Sequence, residues 1–64
     1  MIKVGDIVVS NGTIADVESY LGDKPHEVLE VGKMAGISFD MVWLDGKAIP
    51  CPADGLRVVK EGAK

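Results

Sequence analysis

The spacing of apolar positions changes along the chain, and each change marks an element. Ile7-Val8-Val9 is a β-branched run after a turn at Gly5-Asp6, with Ile7 and Val9 on one face and Val8 on the other. It predicts a first strand that Asn11-Gly12 stops. From Thr13 to Leu21 the period lengthens: Ile14, Val17 and Leu21 fall on one face of a short helix, with Thr13 as N-cap, Asp16 at the matching third position and Gly22 to close it. Two helical turns do not hold in water by themselves, so residues 10–25 read as a long ordered excursion that carries them. Glu27-Val28-Leu29-Glu30-Val31 returns to strand composition and stops at Gly32, with a helix started by Pro25 as the alternative.

The strongest signal is a hairpin over residues 37–51. Asp45-Gly46 between apolar runs suits a two-residue turn with both central residues at positive φ, which pairs Leu44 with Lys47, Trp43 with Ala48 and Val42 with Ile49. One face is then Phe39, Met41, Trp43, Ala48 and Pro50; the other is Val42, Leu44, Ile49 and Cys51. Pro50 and Pro52 keep the second arm, 47–51, at a sheet edge. Residues 52–56 read as a tight 3₁₀ turn, 57–60 as a last strand and 61–64 as a frayed tail. Both faces of residues 41–44 are apolar, while a small β fold has one interior. Cover by the chain's own excursion, a homo-oligomer contact and a site for another protein all remain open for the second face.

Composition narrows the field. At 64 residues, 47% hydrophobic and 27% charged, the chain is expected to be one globular domain over 1–64. Its N-terminal stretch lacks the apolar segment of a signal peptide, and no run approaches the ~18 residues of a membrane span, so a soluble, cytoplasmic protein with no membrane association is expected. Cys51 is the single cysteine, which excludes an intramolecular disulfide and a multi-cysteine zinc site and is expected to serve as a small apolar side chain. No cofactor or metal is expected. His26 is expected as an exposed turn residue, with no nucleophile or second carboxylate at a spacing that suits acid–base catalysis. Ser10, Ser19 and Ser38 lie in no nucleophile motif.

The formal charge is −3, and its distribution is uneven: Asp16, Glu18, Asp23, Glu27 and Glu30 stand against Lys24 alone between residues 16 and 30, a local net of −4. Scattered lysines and an acidic balance argue against nucleic acid. The acidic cluster reads either as a solvated face or as an attraction for a protein partner with a basic surface. The candidate partner-binding residues are Asp16, Glu18, Tyr20 and Asp23 on the excursion and Val42, Leu44 and Ile49 on the hairpin. Catalytic residues are not evident.

Three stretches carry a family resemblance. Val4-Gly5-Asp6-Ile7-Val8-Val9, Val42-Trp43-Leu44-Asp45-Gly46 and Cys51-Pro52-Ala53-Asp54-Gly55-Leu56-Arg57-Val58-Val59 resemble, in order, the first strand, the third strand with its distal turn, and the closing turn with the last strand of small bacterial and phage proteins of the Src homology 3-like (SH3-like) class. The resemblance implies a mainly β fold: a five-stranded small barrel whose long first loop carries a short helix. It also implies a non-enzymatic protein-binding module, of the kind that phages and mobile elements use as accessory proteins to modulate a host protein. Eukaryotic relatives recruit proline-rich peptides at the long loop with paired aromatics. Here the aromatics are Tyr20, Phe39 and Trp43, and none lies beside the first strand. The outline is also similar to the KOW-type barrels, which are usually basic. A further alternative is the plasmid-borne dihydrofolate reductase, in which four small barrels surround a pore and the site exists only in the oligomer.

Overall fold

The computed structural model describes residues 2–62. Strand β1 (Ile7–Ser10) is followed by helix α1 (Ala15–Leu21), β2 (His26–Gly32), β3 (Met41–Leu44), β4 (Cys51–Pro52), a 3₁₀ turn (Ala53–Gly55) and β5 (Leu56–Lys60). The strands form one five-stranded sheet in the order β4-β3-β2-β1-β5, antiparallel at every pairing. Strand β2 serves both halves. His26 and Glu27 pair with β1, residues 28–32 pair with β3, and the register shifts between Val28 and Glu30, so the sheet turns along this strand. The sheet is open: β4 and β5 are its two edges, joined in sequence by the 3₁₀ turn.

The core is built from both halves of the sheet and from the helix. Val8, Val28, Val42, Leu44, Cys51 and Leu56 meet Val17 and Leu21 of α1, with Ile14 and Tyr20 packed partly against them. Each such side chain contributes about 1.5–3 kcal/mol when fully buried, which is what stabilises a seven-residue helix that could not stand alone. The expected helix face is therefore observed, and Gly22 closes the helix at φ +65°, its N–H donating to the Glu18 carbonyl at 2.8 Å. The N-cap differs from expectation. Ile14 occupies that position without a side-chain bond, because the Thr13 hydroxyl donates instead to Asn11 Oδ1 at 2.7 Å.

Further sequence expectations are corrected. Residues 37–40 are not strand: Gly36 at φ +80° and an Ile37 N–H to Met34 carbonyl bond of 3.0 Å make a turn, and the Lys33–Asp40 ion pair at 2.7 Å spans the base of that loop. At the hairpin turn only Gly46 has positive φ (+79°); Asp45 does not, although Lys47 N–H still closes on the Leu44 carbonyl at 3.1 Å. A turn without the two-residue positive-φ twist splays the strands that follow it. Residues 47–50 accordingly leave the ladder, and the chain rejoins β3 with Cys51 opposite Val42 and Pro52 opposite Met41. The register has slipped by two residues, which preserves the faces and puts Cys51 inward.

Val42 and Leu44, expected on a partner surface, are 0% and 1% exposed and belong to the core, because α1 covers the face they share. Trp43 stands on the opposite face, half-buried across from Glu30. The expected frayed tail is corrected at Gly62, which is bonded to Asp6; Ala63 and Lys64 lie outside the described residues.

Asp6 is the one buried charged residue among those described, at 0% exposure. Its Oδ1 accepts from the Gly62 N–H at 2.7 Å and its Oδ2 from the Lys3 N–H at 2.9 Å, with the Lys3 ammonium 3.8 Å away. These donors, Gly62 first and Lys3 second, hold the carboxyl below its usual range against the opposing effect of burial. Asp6 is closed off by the terminal segments rather than sunk in the main apolar cluster. Its backbone also pairs with β2, the Val28 N–H donating to the Asp6 carbonyl at 2.8 Å, so one residue ties the beginning and end of the described chain to the sheet.

Candidate functional site

Once residues 47–50 leave the ladder, their backbone groups need other partners. Tyr20 supplies one: its hydroxyl accepts from the Ile49 N–H at 3.0 Å. Lys47 answers from the same arm, its Nζ donating to the Tyr20 carbonyl at 3.0 Å while lying 4.7 Å from the centre of the Tyr20 ring. The helix and the splayed arm are thus strapped side by side, and a groove remains between them.

Asp16, Val17 and Tyr20 of α1 form one wall and residues 49–52 the other, around a volume of about 270 Å³. Asp16 and Tyr20 are four residues apart and so share a helix face. Ile49 is 64% exposed, and Pro50 and Pro52 are half-buried. Cys51 is buried, and that burial pushes its thiol up, outweighing the opposing pull of Lys47. A thiol held neutral is a weak nucleophile, so Cys51 acts here as apolar wall. The volume lies just under the ~300–1,000 Å³ of small-molecule and cofactor sites, with room for one or two side chains.

The structure brings together Asp16, Tyr20 and Ile49 of the expected partner-binding residues. Glu18 and Asp23 are exposed on the same excursion but do not line the groove. Among the described residues no ion pair engages Asp16, Glu18, Asp23, Glu27 or Glu30, so this acidic surface is uncompensated. Val17, Pro50, Cys51 and Pro52 were missed as groove residues. Pro50 carried the signal, since a residue that cannot donate to a ladder marks a segment free to line a surface.

His26, expected in an exposed turn, is half-buried in β2 opposite Val8, with Nδ1 3.3 Å from the Asp45 carbonyl oxygen and Nε2 buried without a partner. Its place is structural, bracing the hairpin turn against β2. Among the described residues no cluster of three or more His, Cys, Asp or Glu could hold a metal ion, and no helix is long and apolar enough to cross a membrane. Compared with protein-family models, curated proteins and solved structures, the chain matches none.

Proposed function

We propose that the protein is a non-enzymatic interaction module that takes an apolar side chain of another protein into the groove between α1 and residues 49–52, next to a basic residue that pairs with Asp16. The observation that carries this reading is the juxtaposition of an apolar groove with a carboxylate on its wall, Asp16, that makes no ion pair among the described residues. Glu18 and Asp23 extend the negative field around the entrance, which speeds encounter with a basic surface, while burial of the anchor in the groove supplies most of the affinity. We read the five strands as a curled small barrel of the SH3-like type. The support for it is the turn of the sheet along β2 and the three-residue 3₁₀ link between the two edge strands.

A displayed peptide library, selected on the folded protein and measured by fluorescence anisotropy, tests this reading. Selected peptides should place Leu, Ile or Phe beside Lys or Arg and bind more weakly as salt rises. Asp16→Lys and Ile49→Asp should each weaken binding by about tenfold or more, equivalent to ~1.4 kcal/mol. Glu30→Lys, the same charge change on β2, should leave it within about twofold. Peptides that bind Ile49→Asp as well as they bind the parent protein would place the site elsewhere.

A further inference from the structure

One side chain holds the junction between the end of β1 and the 3₁₀ turn. Asn11 Nδ2 donates to the carbonyl oxygens of Asp54 at 2.8 Å and Leu56 at 3.4 Å, and Oδ1 accepts from the Thr13 N–H at 3.0 Å and the Thr13 hydroxyl at 2.7 Å. Acceptors face one end of the carboxamide and donors the other, which sets its orientation. The Asn11 N–H donates to the Gly55 carbonyl at 3.0 Å, completing the junction. The next residue is Gly12, at φ +82°, whose own N–H donates to Ser10 Oγ at 3.2 Å. A glycine nitrogen carries no neighbouring side chain to hinder its attack on the asparagine that precedes it.

We propose that Asn11-Gly12 is a self-modification site that the folded junction holds latent and that local opening releases. The Gly12 nitrogen loses its proton and bonds to Asn11 Cγ; the Cγ–Nδ2 bond breaks and ammonia leaves, so that the two residues share a cyclic imide. Water adds at either imide carbonyl and opens the ring, leaving aspartate or an isoaspartyl linkage at position 11. The fold opposes the first step because both ends of the carboxamide are bound and the Gly12 N–H is engaged.

The product cannot rebuild the junction. A carboxylate oxygen in place of Nδ2 meets two carbonyl oxygens to which it has no hydrogen to donate. The disturbance has a path onward, since Gly55 packs so closely under α1 that an added Cβ would lie 3.1 Å from Val17 Cγ2 and 3.2 Å from Ile14 Cδ1. Val17 is part of the groove wall, so modification at residue 11 loosens the helix side of the groove through the 3₁₀ turn.

The chemistry can be read cleanly. Asn11 is the only asparagine and the chain has no glutamine, so an amide-to-acid gain in intact mass reports this residue alone. The protein would be incubated at mildly alkaline pH, folded and in concentrated urea, and followed by intact-mass and peptide mass spectrometry. Conversion at residue 11 should proceed in urea and run about tenfold or more slower in the folded protein, because it then requires local opening. Asn11→Asp, one of the two products, should lower the thermal midpoint. Equal rates in the two states, or no conversion in urea, would overturn the latent site. An Asn11→Asp protein as stable as the parent would overturn its link to the helix.

Discussion

In the arm before the Asp45-Gly46 turn, Val42 and Leu44 are 0% and 1% exposed; in the arm after it, Ile49 keeps 64% of its surface in solvent. Both arms carry a large aliphatic side chain on the same expected face, Leu44 in one and Ile49 in the other. They differ in what their backbones do. Strand β3 is hydrogen-bonded between β2 and β4, so its side chains are held on two faces and α1 covers one of them. Residues 47–50 have left the ladder, carry Pro50, and are held through Tyr20 and Lys47 instead. Backbone pairing, more than hydrophobicity, separates core from surface in this hairpin.

The largest test of that contrast is Leu44→Asp. It forfeits packing worth about 2–5 kcal/mol and adds a buried charge, against a total stability of about 3–10 kcal/mol for a chain this short. Circular dichroism and denaturant titration should find no cooperative transition; a folded variant would mean that the β3 face is not core.

Acid should act next. The Asp6 carboxyl titrates below its unfolded value of about 3.9, so its stabilising effect is full above that pH and is lost as pH falls through the folded value. Urea midpoints measured from neutral pH down to about pH 2 should fall more steeply in the parent protein than in Asp6→Asn, which starts less stable but has no charge to lose. Parallel pH profiles would show that the Gly62 and Lys3 bonds to this carboxylate add no acid sensitivity.

Smaller effects belong to the splayed arm. Tyr20→Phe removes the acceptor of the Ile49 N–H and should cost about 0.5–1 kcal/mol, with faster hydrogen exchange at Ile49 while Val42 is unaffected. Ile49→Asp should change stability by no more than about 0.5 kcal/mol even as it weakens peptide binding. A loss comparable to that of Leu44→Asp would erase the distinction between the arms.

Much of the fold was legible because it rests on local chemistry. The β-branched run of β1, the Ile14, Val17 and Leu21 face of the helix, the stop at Gly22 and the 3₁₀ turn before β5 are set by side-chain spacing and glycine placement. The acidic excursion was legible as composition, and three residues of the groove were named from it and from the hairpin. The hairpin register was not. Asp-Gly is compatible with more than one turn, and the choice lies in the φ of Asp45, which no sequence pattern displays.

From that choice follows what tertiary structure alone decided. It moved Ile49 out of the ladder and Cys51 into the core, left Tyr20 to bond the freed backbone, and opened the groove. Which of two apolar faces is interior depends on where the helix lands. That landing is settled by a core that gathers residues far apart in the chain, Val17 and Leu21 in one cluster with Val42 and Leu44, which the spacing of either segment cannot encode.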